Sequence, residues 1–269
     1  MQFYEHRHTR SCHVSLGKSS GGAPFEISGK IKRAFWGDIA GRFSDPRECL
    51  ASYLALESAE VIAGVKPANL ISIPNRTHTC GINPYFNWKK WGNEVAAAAR
   101  LESFALKDRE NSLLVLLYRA DAITELLATS AVRTMLHRAG YSEQMDIPTL
   151  LSRLAHRMDS GAFPHEIGIF LGYPLKDVAG FMGLATIPFT CQGPWKIYGD
   201  PHDSLKLADT FRWYRKRMAE DLANCLSPFE CFVYLETERA FFYPCADNDF
   251  QLHNLYPLTP QPARKQVIQ

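Results

Sequence analysis

The sequence predicts an α+β fold: a small mixed β-sheet covered by about seven helices, with a corner of helix-turn-helix type. Three observations predict it. Residues Ser112–Tyr118 (SLLVLLY) are apolar throughout, the pattern of a central strand covered on both faces. Apolar positions recur at helical spacing over 44–64, 146–161 and 203–222, each stretch opening on Asp or Ser. Two segments that begin at Pro and stop at Gly follow one another between 163 and 183.

Composition sets the outer limits. The chain has 269 residues, 46% hydrophobic and 22% charged, with a formal net charge of +2. These values fit a globular protein with a sizeable core. They give no global field that would select nucleic acid or a membrane surface. No apolar run reaches the roughly eighteen residues of a membrane-spanning helix. The first 22 residues hold charge and no apolar leader core, so a cytoplasmic location is expected. Seven cysteines, at 12, 49, 80, 191, 225, 231 and 245, then read as reduced thiols rather than a disulfide framework.

Residues 1–33 read as a flexible extension, 34–225 as the α+β core domain, and 226–269 as a C-terminal hairpin and Pro-rich tail. In the extension, Gly17-Lys18-Ser19 is no phosphate loop, because Cys12 stands where the first glycine is needed. His6, His8, Cys12 and His13 are metal-ligand types, but a polar tail presents no fixed geometry. Ser44-Asp45-Pro46 starts a helix that Gly64 ends, and 68–73 is a short strand. His78 and Cys80 lie two apart without a second ligand pair nearby. Residues 83–91 form an aromatic loop interleaved with Lys89 and Lys90, a mix able to stack bases or simply to pack on the core. Helices are expected over 94–106, from Asp121 to 127, over 130–138, and from Asp146 to Gly161.

The stretch 163–200 is densest in residues with special roles. Pro164 and Pro174 suit first helical turns, and Gly172 and Gly183 suit helix ends. Cys191-Gln192-Gly193-Pro194 makes a turn, and Trp195–Tyr198 a strand. A long helix runs from Asp203 or Ser204 to 222, with Arg212, Arg215, Lys216 and Arg217 as an outer basic face. That face would suit a protein partner. Residues 229–236 and 240–243 read as two strands of a hairpin.

Four residues of the dense stretch are candidates for catalysis: His165, Glu166, Cys191 and Lys196. An imidazole at a helix N-terminus tends to stay neutral and can act as a base. HExxH zinc chemistry is excluded, since Ile169 occupies the second histidine position. Lys196 near Cys191 would favour a thiolate. Lys66, Asn69, Arg119, Tyr173, Trp195 and Tyr198 are candidate cofactor contacts. If the strand ends converge, Lys66, Arg119 and Lys196 would form an anion pocket. The residues specify neither a metal nor a cofactor. The rhythm of 166–178 also matches a helix-turn-helix, a DNA-binding regulator being the alternative. Its second helix (LKDVAGFM) offers only Lys176 to phosphate and nothing to base edges.

The segments FPHEIGIFLGYPLKDVAGF (163–181), Cys191–Tyr198, GVKPANL (64–70), LLYR ending at Arg119, and the late helix with Phe211 and Tyr214 resemble the domain of unknown function 3793 family, found mainly in anaerobic bacteria. The likeness covers roughly 45–222. It implies a setting in anaerobic redox or iron metabolism and no defined reaction. The resulting expectation is a cytosolic protein that binds a small molecule, cofactor or metal, its enzymatic status open. A non-catalytic interaction module is the remaining alternative.

Overall fold

A computed structural model describes residues 36–78, 81–142, 145–160 and 163–233. The N-terminal extension, Cys80 and the expected second hairpin strand lie outside the described residues.

After two short 3-10 turns, α1 (Pro46–Glu57) begins where Asp45 accepts from the backbone N–H groups of Arg47 and Glu48 at 2.9 and 3.0 Å. Helix α2 (Ala59–Ile62) follows after a break at Ser58, and Gly64 then turns at φ +70°. Strand β1 (Ala68–Pro74) leads into α3 (Pro84–Ala98). The expected aromatic loop is therefore the first half of a helix. Asn83 caps it, accepting from the Tyr85 N–H at 3.0 Å, and Pro84 supplies the first position.

The expected helix over 94–106 is corrected as well. Arg100 adopts φ +54° and ends the turn, and β2 (Glu102–Arg109) follows as a strand. A bulge between Ala105 and Lys107 breaks its alternation, and half of its residues are exposed with only Leu106 buried. It is an edge strand with the charges such edges carry. Strand β3 (Ser112–Tyr118) is central, in the order β1-β3-β2, with both pairings antiparallel. The sheet is thus antiparallel and not mixed.

Alternate residues of β3 serve two cores, as a pleated strand covered on both sides requires. Leu113, Val115 and Leu117 join Ile71 and Ile73 against α1, α3 and the last helix. Leu116 and Tyr118 face the other side. There they meet α4 (Ala120–Ala128), α5 (Ser130–Arg138), α6 (Ile147–Asp159), α7 (Ile167–Phe170) and α8 (Leu175–Phe181).

Trp195–Tyr198 does not join this sheet. Residues Lys196–Tyr198 form β5, which pairs with β4 (Phe189–Gln192) in a separate antiparallel hairpin. Both edges of β3 are already taken by β1 and β2, so the late strand cannot pair with β3. Helix α9 (His202–Asn224) closes the core. It starts one residue before the expected Asp203, and Ser204 turns inward. Residues 230–233 are helical, not the start of a strand.

The α7–α8 corner is real, but its second helix is not presented to solvent as a reading head. A Cβ on Gly180 would stand 2.6 Å from the Tyr198 ring, so α8 lies tight against β5. Gly172 adopts φ +69°, and a Cβ there would stand 2.6 Å from Pro67 Cδ. Gly172→Ala therefore meets both backbone strain and a clash, and should cost about 2–4 kcal/mol in urea denaturation. Gly183→Ala, at the same φ of +69° but with open space around it, should cost only about 1–2 kcal/mol.

Candidate functional site

Seven of the ten expected site residues fall in three separate places, the exceptions being Arg119, Tyr198 and Cys191. The first is a buried cluster where four chain segments meet. The Lys66 Nζ donates to Asn69 Oδ1 at 2.8 Å and lies 5.0 Å from the Phe211 ring centre and 5.8 Å from that of Tyr173. Tyr173 stacks on Trp195 at 4.5 Å. Lys66, Asn69, Tyr173 and Trp195 are thus neighbours in space. Lys66 is only 7% exposed, so its ammonium sits among rings rather than at an open anion pocket. Glu60 is buried beside it with Oε2 unpartnered among the described residues. Burial pushes the Glu60 carboxyl up from its ordinary 4.5, against the opposing pull of Lys66 and then Arg215.

Arg119 and Tyr198 are not in that cluster. The Arg119 N–H donates to Pro67 O at 3.0 Å, so the main chains do converge. Its guanidinium, however, pairs with Asp121 at 2.6 Å. Tyr198 packs on Gly180 and, edge to face, on Phe189.

Beneath Trp195 lies Asp177, which is not among the expected site residues. The Asp177 carboxylate is 2% exposed. It accepts from the Trp195 indole N–H at 2.8 Å, the Ser204 hydroxyl at 2.7 Å, the Tyr198 backbone N–H at 2.8 Å and Lys176 Nζ at 2.8 Å. Lys176 also donates to Tyr198 O at 2.7 Å. The one cation of α8 is therefore spent internally. The available signal was an Asp on a helix face that is otherwise apolar.

The second place is Glu166, 1% exposed. It accepts from Arg157 Nε at 2.6 Å and the Tyr141 hydroxyl at 3.0 Å. Burial, then the neighbouring carboxylate, push the Tyr141 hydroxyl well above its usual range. Glu166 is an anchor between α6 and the start of α7, not a free base.

The third place is open. His165 points away from Glu166 and meets the Phe181 ring edge to face at 4.7 Å. Lys196 Nζ lies 5.1 Å from the same ring. Phe181 is 40% exposed. Beside it opens a cleft of about 290 Å³ between Arg157 and Ser160 of α6, Phe163–Glu166, and Met182. Cys191 is absent from it. In the hairpin it pairs with Ile197, and both are buried against Trp195 and Phe211, whereas Lys196 is exposed. Cys191 is also disulfide-bonded, while Cys49, Cys225 and Cys231 are free thiols. The expectation of reduced thiols throughout is corrected at this position, and Cys191 offers no thiolate in this form.

The α9 cations are largely paired. Arg212 bonds Asp209, Arg215 bonds Glu57 at 2.5 Å across to α1, Lys216 lies 3.6 Å from Glu220, and Arg217 3.3 Å from Asp221. Arg215 faces inward. The outer basic surface is therefore neutralised along its length. No three His, Cys, Asp or Glu side chains converge to hold a metal among the described residues.

Two outcomes follow. Asp177→Ala strands the Trp195, Ser204 and Tyr198 N–H donors and should cost about 3–5 kcal/mol in denaturant unfolding, with a shifted Trp emission. Glu60 has a folded pKa above its unfolded value, so its contribution is fully present below the ordinary 4.5 and is lost as pH rises through the folded value. Glu60→Gln should therefore gain stability relative to the parent as pH rises from acid to neutral, measured by urea midpoints across that range.

A family model of proteins of unknown function, DUF3793, matches residues 54–231. No curated protein and no solved structure matches the chain. No described helix is long and apolar enough to cross a membrane. The matched span contains the Lys66 cluster, the Asp177 hub and the Phe181 cleft, and the chain belongs to the DUF3793 family.

Proposed function

We propose that this protein binds a small molecule that carries an aromatic or apolar body and an anionic group, in the cleft beside Phe181. One observation carries the reading. An exposed aromatic ring is bracketed by His165 and Lys196 at the mouth of a cleft whose wall holds Arg157, Phe163 and Met182. Apolar lining with a few convergent polar groups is the usual make-up of a ligand site. A ring can stack on Phe181 while Lys196 and His165 meet the anion.

Binding is favoured over catalysis, because Cys191 lies outside this cleft and Glu166, on its wall, is already bonded to Arg157 and Tyr141. The cytosolic setting is part of the reading. Three free thiols support it, and the Cys191 disulfide pulls against it. A redox or iron role would come from the ligand, since the described side chains supply no metal cluster. DNA reading has less behind it, with Lys176 engaged and α8 packed on β5. Partner capture through α9 has less behind it too, its cations being paired.

The probe is phenyl phosphate, followed by NMR of the His165 imidazole and compared with phenol and inorganic phosphate. Phenyl phosphate should give a saturable shift and bind more tightly than either fragment. Lys196→Ala should weaken it about tenfold, one charge-assisted contact. No saturable shift at millimolar probe, or equal affinity in the variant, would sink the proposal.

A further inference from the structure

The described free thiols are not all isolated. Cys225 ends α9, and Cys231 lies one turn further on, in 230–233. The intervening residues fold back through short turns, Glu230 N–H to Ser227 O at 3.1 Å and Cys231 N–H to Pro228 O at 3.2 Å. The reversal packs Cys225 against the buried cluster that holds Cys231, and the two thiols interact. Cys225 donates its S–H to Leu222 O at 3.7 Å, which leaves its sulfur to accept from the Cys231 thiol. Both thiols are free.

Their surroundings differ in a useful way. Cys231 is buried in the core of α1, α3 and α9. Burial first, then Cys225 and the acidic Asp221 and Glu230, hold its thiol protonated well above the usual range. Cys225 is half-buried at the rim, and its neighbour Leu226 is 90% exposed. Arg42 Nη2 donates to the Cys225 carbonyl at 3.3 Å and fixes the backbone there. An outer thiol able to meet a reagent, backed by an inner thiol in contact with it, is the layout of an attacking and a resolving cysteine.

We propose that Cys225 and Cys231 form a reversible dithiol–disulfide site that exchanges with low-molecular-weight disulfides. The Cys225 thiolate attacks one sulfur of the small disulfide RSSR. The S–S bond breaks, and RS⁻ leaves with the electron pair and is protonated by solvent. Cys231 loses its proton to solvent, attacks the Cys225 sulfur of the mixed disulfide and expels the second RS⁻. The protein loses two protons, one from each thiol, and two electrons, and RSSR becomes two RSH. This site is separate from the Phe181 cleft, and neither proposal depends on the other.

Both thiols fall in one tryptic peptide, 218–239, which contains no other cysteine. The test treats the reduced full-length protein with oxidised glutathione, alkylates, digests and reads that peptide by mass. The expected product lacks two hydrogens, resists alkylation and reverts with dithiothreitol. A glutathione adduct on the parent peptide should be no more than about a tenth of that product, because the neighbouring thiol resolves it at high effective concentration. In Cys231→Ser the adduct on Cys225 should instead persist. The proposal is overturned if the parent peptide keeps two alkylatable thiols, carries two stable adducts, or is linked only to cysteines outside it. Repeating the reaction in urea separates fold from sequence. Pairing as fast in the unfolded chain as in the folded one would also overturn a site made by the fold.

Discussion

The carboxylate of Asp177 is the point on which α8, the hairpin and α9 all depend. It takes a hydrogen bond from the hairpin backbone at Tyr198, one from the Trp195 indole before β5, one from Ser204 in α9 and one from Lys176 beside it. A charge this buried is tolerable only when fully bonded. Here the requirement works as a positional constraint. The hairpin cannot slide along α8, nor α9 rotate, without stranding a donor. The tight contact of Gly180 with the Tyr198 ring follows from the same docking.

Fixing the hairpin fixes what lies on either side of it. On the inner side Trp195 stacks on Tyr173 and completes the ring-lined surroundings of Lys66. On the outer side Lys196 is held near Phe181 and His165. Alternation along a three-residue strand thus divides one sequence motif between a buried structural cluster and an open cleft. The division also separates Cys191 from Lys196 although only five positions part them.

Much of this architecture was legible in the sequence. The apolar run of β3, the Asp-Pro start of α1 and the Gly ends of the corner helices are local signals with local causes. What failed has a physical reason in each case. The four alanines before Leu101 carry a helical preference past the point where Arg100 turns at positive φ, and a bulge hides the alternation of β2. Asn83-Pro84 was a helix start masked by the aromatic residues after it. At the site, Lys66, Asn69, Tyr173 and Trp195 do come together. Glu166 and Asp177 could not be ranked, because a carboxylate in a first turn looks the same whether it faces solvent or a buried Arg157 or Trp195. Sequence spacing records neighbours along the chain and says nothing of which face a later segment will cover.

The contact of Gly172 with Pro67 has a bearing on how this chain can vary. The two residues lie in turns more than a hundred positions apart, and the space between them admits no further carbon. A larger residue at 172 would need the turn at 64–67 to retreat, which would carry Lys66 away from the Tyr173 and Phe211 rings. The two turns therefore behave as one hereditary unit. Drift in either is permitted only as far as the other can follow, and a chimera that takes the first turn from one relative and the second from another would inherit a mismatch at its centre.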